Sequence, residues 1–172
     1  MDELTRASVI EAVRVQYLLR WDGTHGLAHW ERVRENGLWL AARTGARADV
    51  VELFAYFHDA CRANEHTDPG HGARGGALAR SVAGSAFGID AAGLELLVAA
   101  CRDHTVGQAH ADPTIATCWD ADRLDLGRIG TMPRAERLCT TTARDPEVIR
   151  LAWARSRGEP DRSLPLSPVP EQ

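Results

Sequence analysis

Apolar residues recur along this chain at three- and four-residue spacing almost throughout, the period of helices that bury one face. Val9, Ile10, Val13, Tyr17 and Leu18 form one stripe, with Thr5 placed to cap its start. A second helix is predicted from near Leu27 to Ala42, where His29, Val33, Asn36 or Gly37, and Leu40 share a face before Gly45 stops it. A third covers Asp49 to about Cys61. Residues 64–76 are rich in Gly, Asp and Pro and predict a loop, leading into a helix over 77–86. Asp90 caps the next helix, whose stripe Leu94, Leu97, Cys101 continues by helical spacing to His104. Residues 105–114 read as loop, 115–126 as helix, and a last helix over 146–157 starts with proline in its first turn. From residue 158 onward, Pro160, Pro165, Pro168 and Pro170 predict an extended or disordered tail. Nothing alternates as a strand and nothing repeats. The pattern predicts one compact all-α domain over residues 1–157.

Bulk properties narrow the functions open to such a domain. At 172 residues the chain fits a single domain, large enough to bury roughly two thirds of its unfolded surface. Hydrophobic content of 44% and charged content of 26% place it among ordinary globular proteins rather than disordered or membrane ones. The net charge of -4 argues against a groove for long nucleic acid but leaves room for a small phosphorylated substrate, because bound divalent cations reverse the local potential. The basic residues are all arginine. Without lysine there is no Schiff-base chemistry and no lysine-bearing phosphate loop, so phosphate must be held by arginine, metal or backbone. Cys61, Cys101, Cys118 and Cys139 show neither a paired metal spacing nor a secreted disulfide pattern and read as reduced core residues of a cytoplasmic protein. Residues 1–6 mix acids and a base with no apolar core, so no signal peptide is expected, and no apolar run is long enough to span a membrane.

The chemistry concentrates where an apolar run, 50–57, ends in Phe57-His58-Asp59. A carboxylate leaves water at a cost of several kcal/mol unless a cation or hydrogen bonds compensate, and a metal ion is the natural compensation. Upstream lies His25-Gly26-Leu27-Ala28-His29-Trp30-Glu31-Arg32-Val33, and downstream Trp119-Asp120-Ala121-Asp122-Arg123-Leu124-Asp125. With candidate ligands in the order His, His-Asp, Asp, the chain resembles the HD superfamily of metal-dependent phosphohydrolases from about residue 20 to residue 130. The resemblance implies an orthogonal helical bundle. It also implies a divalent ion (Mn, Co, Ni, Mg, Fe or Zn) held by His29, His58, Asp59 and Asp122, and water activated for attack on a small phosphorylated substrate, nucleotides first.

The neighbouring residues carry alternatives. His25 and His29 stand four apart, as in zinc-protease helices, but Gly26 replaces the required glutamate base, so His25 is better placed near the substrate or the reactive water. Asp122 best fits the family's Ala-Asp-Arg-Leu pattern, with Asp120 as fallback and Asp125 either orienting a ligand or an arginine or standing as a surface charge. His71 and His104 stand where some HD proteins place ligands for a second ion; otherwise they contact phosphate or leaving group. Arg62 and Arg74 offer forked donors to phosphate oxygens. Arg62 also stands where some HD nucleotidases carry a glutamate, so acid–base work falls to Asp59, His104 or Glu65, with Asp68 also available. The Glu-Asp pair of alarmone hydrolases is absent. His66 and His110 are expected at the periphery, and Trp30 and Trp119 are expected to wall the site. Two rival functions stay open: a di-iron oxygenase that uses both His71 and His104, and a nucleotide- or metal-binding regulatory module without turnover. Pairing into a homodimer is also open.

Overall fold

In the computed structural model, residues 1–159 are described; the expected tail lies, from residue 160, outside them. Seven α-helices account for most of these residues: α1 Glu3–Gln16, α2 Leu27–Thr44, α3 Ala48–Phe57, α4 His71–Val82, α5 Ala91–Asp103, α6 Pro113–Arg123 and α7 Pro146–Ser156. Two short 3-10 turns, Leu126–Ile129 and Ala135–Arg137, link α6 to α7. Among the described residues there is no strand, only one isolated bridge between Ala83 and Phe87.

The apolar run is the centre of the molecule. Every residue from Val50 to Phe57 is buried, and a helix apolar on all sides must be enclosed on all sides. Accordingly α3 packs against α1, α2, α4, α5 and α6. The one acid in this run, Glu52, is buried at 2% exposure and accepts from Arg34 Nε at 2.7 Å. A second, smaller core forms where α7 lays Val148, Ile149, Leu151 and Ala152 against Leu40, Leu124 and Leu138.

Several boundaries differ from the sequence reading. Asp2 rather than Thr5 caps α1, accepting from Thr5 N at 2.7 Å, and the stripe breaks at its end, where Leu18 is 77% exposed. Helix α3 stops at Phe57, so His58 is its C-cap and Asp59 stands in the following turn. Helix α6 is capped by Asp112 and begins two residues early, at Pro113. Gly45 ends α2 at a φ of 72°, as its position predicts.

The largest difference is α4, which starts at His71 rather than 77. Its glycines serve close approach rather than turning. A Cβ on Gly72 would lie 2.1 Å from Cys101 O, and one on Gly75 would lie 2.1 Å from Phe57 O. The start of α4 therefore presses directly against the ends of α3 and α5, which brings His71 beside Asp59 and His104. The four cysteines are free, Cys101 and Cys118 buried and Cys61 and Cys139 half-buried. No helix among the described residues is long and apolar enough to cross a membrane.

Gly75→Ala should cost about 2 kcal/mol or more by forcing α4 off α3. Gly45→Ala, which meets no neighbour but keeps a left-handed backbone, should cost about 1 kcal/mol. Urea denaturation compares them, and equal losses would refute a packing role for Gly75.

Candidate metal centre

Six side chains from five elements meet at one end of the bundle. His29 lies in the first turn of α2, His58 and Asp59 at the end of α3, His71 at the start of α4, His104 at the C-cap of α5, and Asp122 in α6. The ends of α3 and α5 and the starts of α2 and α4 meet here, so the helix dipoles largely offset one another and the side chains set the charge of the site.

Hydrogen bonds on the far side of each ring define which nitrogen faces inward. His58 Nδ1 lies 3.1 Å from the carbonyl oxygens of Phe54 and Ala55, His104 Nδ1 lies 2.7 Å from Cys101 O, and His71 Nδ1 lies 2.6 Å from Asp68 O. A carbonyl only accepts, so each Nδ1 donates and each Nε2 is the nitrogen that faces inward, as a lone pair on His58, whose ring burial keeps neutral. His29 Nδ1 likewise donates to Asp125 Oδ2 at 2.7 Å, and Arg32 Nε holds the other oxygen of Asp125 at 2.7 Å. Asp125 thus orients both a histidine and an arginine, from a buried position rather than the surface.

The inward lone pairs crowd together. His29 Nε2 and His58 Nε2 are 3.1 Å apart with no hydrogen available between two neutral rings so oriented. Asp59 Oδ2 is 3.7 Å from each, and Asp122 Oδ1 is 3.5 Å from His29 Nε2 and 3.8 Å from His58 Nε2. Asp122 Oδ1 is buried without a hydrogen-bond partner. Around an ion at about 2.1 Å, neighbouring ligands stand about 3.0 to 3.4 Å apart, so this nitrogen and oxygen set fits a divalent metal. A second group shares the other oxygen of the same carboxylate: Asp59 Oδ1 lies 3.1 Å from His71 Nε2 and 3.7 Å from His104 Nε2.

The electrostatics agree with that geometry. Burial pushes the imidazoles of His29 and His58 below their ordinary range, so both stay neutral at pH 7. Burial alone would raise Asp59 and Asp122; the facing histidines, and Arg128 for Asp122, instead hold both carboxyls below the usual range. His104 goes the other way, since the facing carboxylates of Asp59 and Asp122 outweigh its burial and raise it.

An open pocket of about 460 Å³ reaches Asp59, His104 and Asp122 and is lined also by His25 and Arg62, while His29, His58 and His71 lie behind its wall. Other candidates fall outside it. Arg74 is committed to Cys61 O and Asp68, clamping the loop 63–70 instead of facing the pocket, and Asp68 also caps Ala63 N. Glu65 is not in the lining but pairs with His25, which does line it. Asp120 is buried and accepts from Cys139 N, Thr140 N and Thr140 Oγ1, so it pins the 138–140 segment rather than joining Asp122. Trp30 is enclosed edge-on between Tyr17 and Trp21, and Trp119 stacks beneath Gly107 with its Nε1 on Ala100 O. Neither tryptophan lines the pocket. His66 and His110 are exposed, as expected.

The pocket also contains residues that the sequence reading passed over. Arg128 and Arg137 line it, and among the described residues no hydrogen bond engages the guanidinium of Arg137. Arg128 is directed inward by Thr24 O and Asp125 O. Their only advance signal was the absence of lysine, which leaves phosphate recognition to arginine without saying which one.

No family model matches the chain, and no curated protein does. Among solved structures, one described as a predicted HD superfamily hydrolase from an uncultured Thermotogales bacterium superposes with a TM-score of 0.64. The alignment covers 88% of this chain and 87% of that one at 24% identity. The chain has the HD fold. In this HD fold the buried His-Asp pair and the downstream aspartate come together, and Asp59 and Asp122 reach the pocket.

Two outcomes follow from the geometry. Asp122→Asn should weaken metal retention at least tenfold with the fold intact, whereas Asp120→Ala should lower stability by about 2 kcal/mol and leave metal content per folded chain unchanged. Elemental analysis and denaturant melts separate them. Because His29 and His58 resist protonation, metal affinity should hold from about pH 8 to about pH 6.5 and decline only below it. Chelator competition across that range checks the sign, and a steep loss already above neutrality would contradict neutral, buried imidazoles.

Proposed function

We propose that this protein is a metal-dependent hydrolase that cleaves a phosphate ester or anhydride bond in a small molecule, nucleotides being the first class to test. The observation that carries the reading is the pair of opposed Nε2 lone pairs of His29 and His58, 3.1 Å apart beside the unpartnered Asp122 Oδ1. His29, His58, Asp59 and Asp122 would hold the ion. When bound, a divalent ion in such a site lowers the pKa of water towards about 7 and polarises a phosphoryl oxygen.

The rest of the pocket suits this chemistry. Arg128 and Arg137 have donors free for the non-bridging oxygens of a phosphate, and arginine presents them in a fork. Val106, Leu126 and Ile129 add an apolar wall for the organic part of the substrate. His104, raised by its carboxylate neighbours and 6% exposed at the pocket floor, is placed to give a proton to a leaving oxygen. His25 is held by Glu65 at the pocket wall, where it can orient water; Glu65 acts through His25 rather than on substrate. A pocket of this size accepts a mononucleotide or sugar phosphate and not a duplex. The oxygenase alternative requires a second ion at His71 and His104, and the regulatory alternative requires binding without turnover.

A panel of nucleotides and sugar phosphates, assayed for product after loading with manganese, cobalt, nickel or magnesium, tests the reading. Turnover should vanish with His58→Ala or Asp59→Ala, and Arg137→Ala should raise KM about tenfold with kcat little changed. Full activity after metal stripping would sink the proposal.

A further inference from the structure

The two halves of the cluster differ in what already fills them. At the His29–His58 end no protein donor hydrogen-bonds Asp122 Oδ1, and the guanidinium that faces it, Arg128, stands off at 3.9 Å. At the other end Arg62 Nη1 lies 3.3 Å from Asp59 Oδ1 and 3.2 Å from His71 Nε2, while Thr105 Oγ1 lies 3.2 Å from His104 Nε2. These are the inward atoms of the second group. A guanidinium hydrogen thus stands where a second metal ion would have to bind.

Arg62 is not a side chain that happens to swing past. Its Nη2 donates to His66 O at 2.6 Å and its Nε lies 3.3 Å from Asn64 O, so backbone carbonyls of the loop after α3 hold the fork in place, and the residue is only 8% exposed. With Nε and both terminal nitrogens engaged, it has little capacity left for substrate phosphate. Arginine does not lose its proton in proteins. A divalent ion on Asp59 Oδ1 and His71 Nε2 would displace both of its Nη1 contacts and face a fixed like charge at a few ångströms, with little water between to screen it.

We propose that the guanidinium of Arg62 is the resident cation of the Asp59–His71–His104 group, so that the chain retains a single divalent ion and Arg62 keeps a second one out. The inference rests on the reading of the His29–His58–Asp59–Asp122 group as a metal centre. It assigns Arg62 an electrostatic role inside the cluster in place of the phosphate contact expected from sequence.

Metal stoichiometry tests it without reference to turnover. The wild-type chain, Arg62→Met and Arg62→Gln are loaded with manganese, freed of unbound ion, and measured by elemental mass spectrometry and electron paramagnetic resonance. About one equivalent is expected in the wild type, with the signal of an isolated ion. About two are expected in both variants, with the signal of a coupled pair, and His71→Ala added to Arg62→Met should return the count to about one. Two equivalents in the wild type, or one in folded Arg62→Met and Arg62→Gln, would overturn the role of Arg62 and leave the first centre standing. No retained manganese in the wild type would overturn the metal centre itself and this inference with it. The wild-type count decides even if neither variant folds.

Discussion

The site depends on one constraint: every imidazole at its centre has already given its outer N–H to a fixed acceptor. His58, His71 and His104 donate to carbonyls of their own turns, and His29 donates to a buried carboxylate. What remains inward is a set of Nε2 atoms and carboxylate oxygens, in a place where burial suppresses protonation of His29 and His58. Such an arrangement is repulsive in isolation and becomes cohesive around positive charge. The ligand atoms are therefore pre-positioned by hydrogen bonds that belong to helix ends, not by flexible side chains searching for an ion.

That pre-positioning requires the helix ends to meet, and glycine makes the meeting feasible. Gly72 lets the start of α4 reach the end of α5, and Gly75 lets it reach the end of α3. Any larger residue would move His71 away from Asp59 by more than a hydrogen bond tolerates. Packing and chemistry are therefore one problem here. Arginine completes the arrangement in three different ways: Arg32 steadies Asp125, Arg62 enters the second group, and Arg128 and Arg137 face the open pocket.

Much of this was legible in the sequence. The mostly apolar run 50–57 reads as an enclosed helix, which favours a buried and compensated His-Asp pair at its end over a solvated one. The Leu27 start and Gly45 stop of α2 followed from spacing and from the left-handed preference of glycine. The start of α4 was not legible, because Gly-rich sequence marks a turn and a close helix contact alike, and only the neighbour distinguishes them. Glu65 and Arg74 looked equally available for the pocket; the fold of the loop 62–70 commits Arg74 to backbone oxygens and puts Glu65 behind His25.

By itself the sequence determined that the chain is helical, that a charged pair lies buried at the end of its most apolar segment, and that His29, His58, Asp59 and a downstream aspartate are candidates for one ion. The first two are consequences of periodicity and of the free energy of moving charge out of water, both local properties, whereas the ligand set is what the resemblance to HD proteins implies. Tertiary structure decided that Asp122 rather than Asp120 faces the histidines, that Asp125 is internal, and that Arg62 rather than open solvent meets His71. Each of those outcomes depends on which distant backbone or side-chain group comes within hydrogen-bond reach, and no spacing along the chain carries that distance.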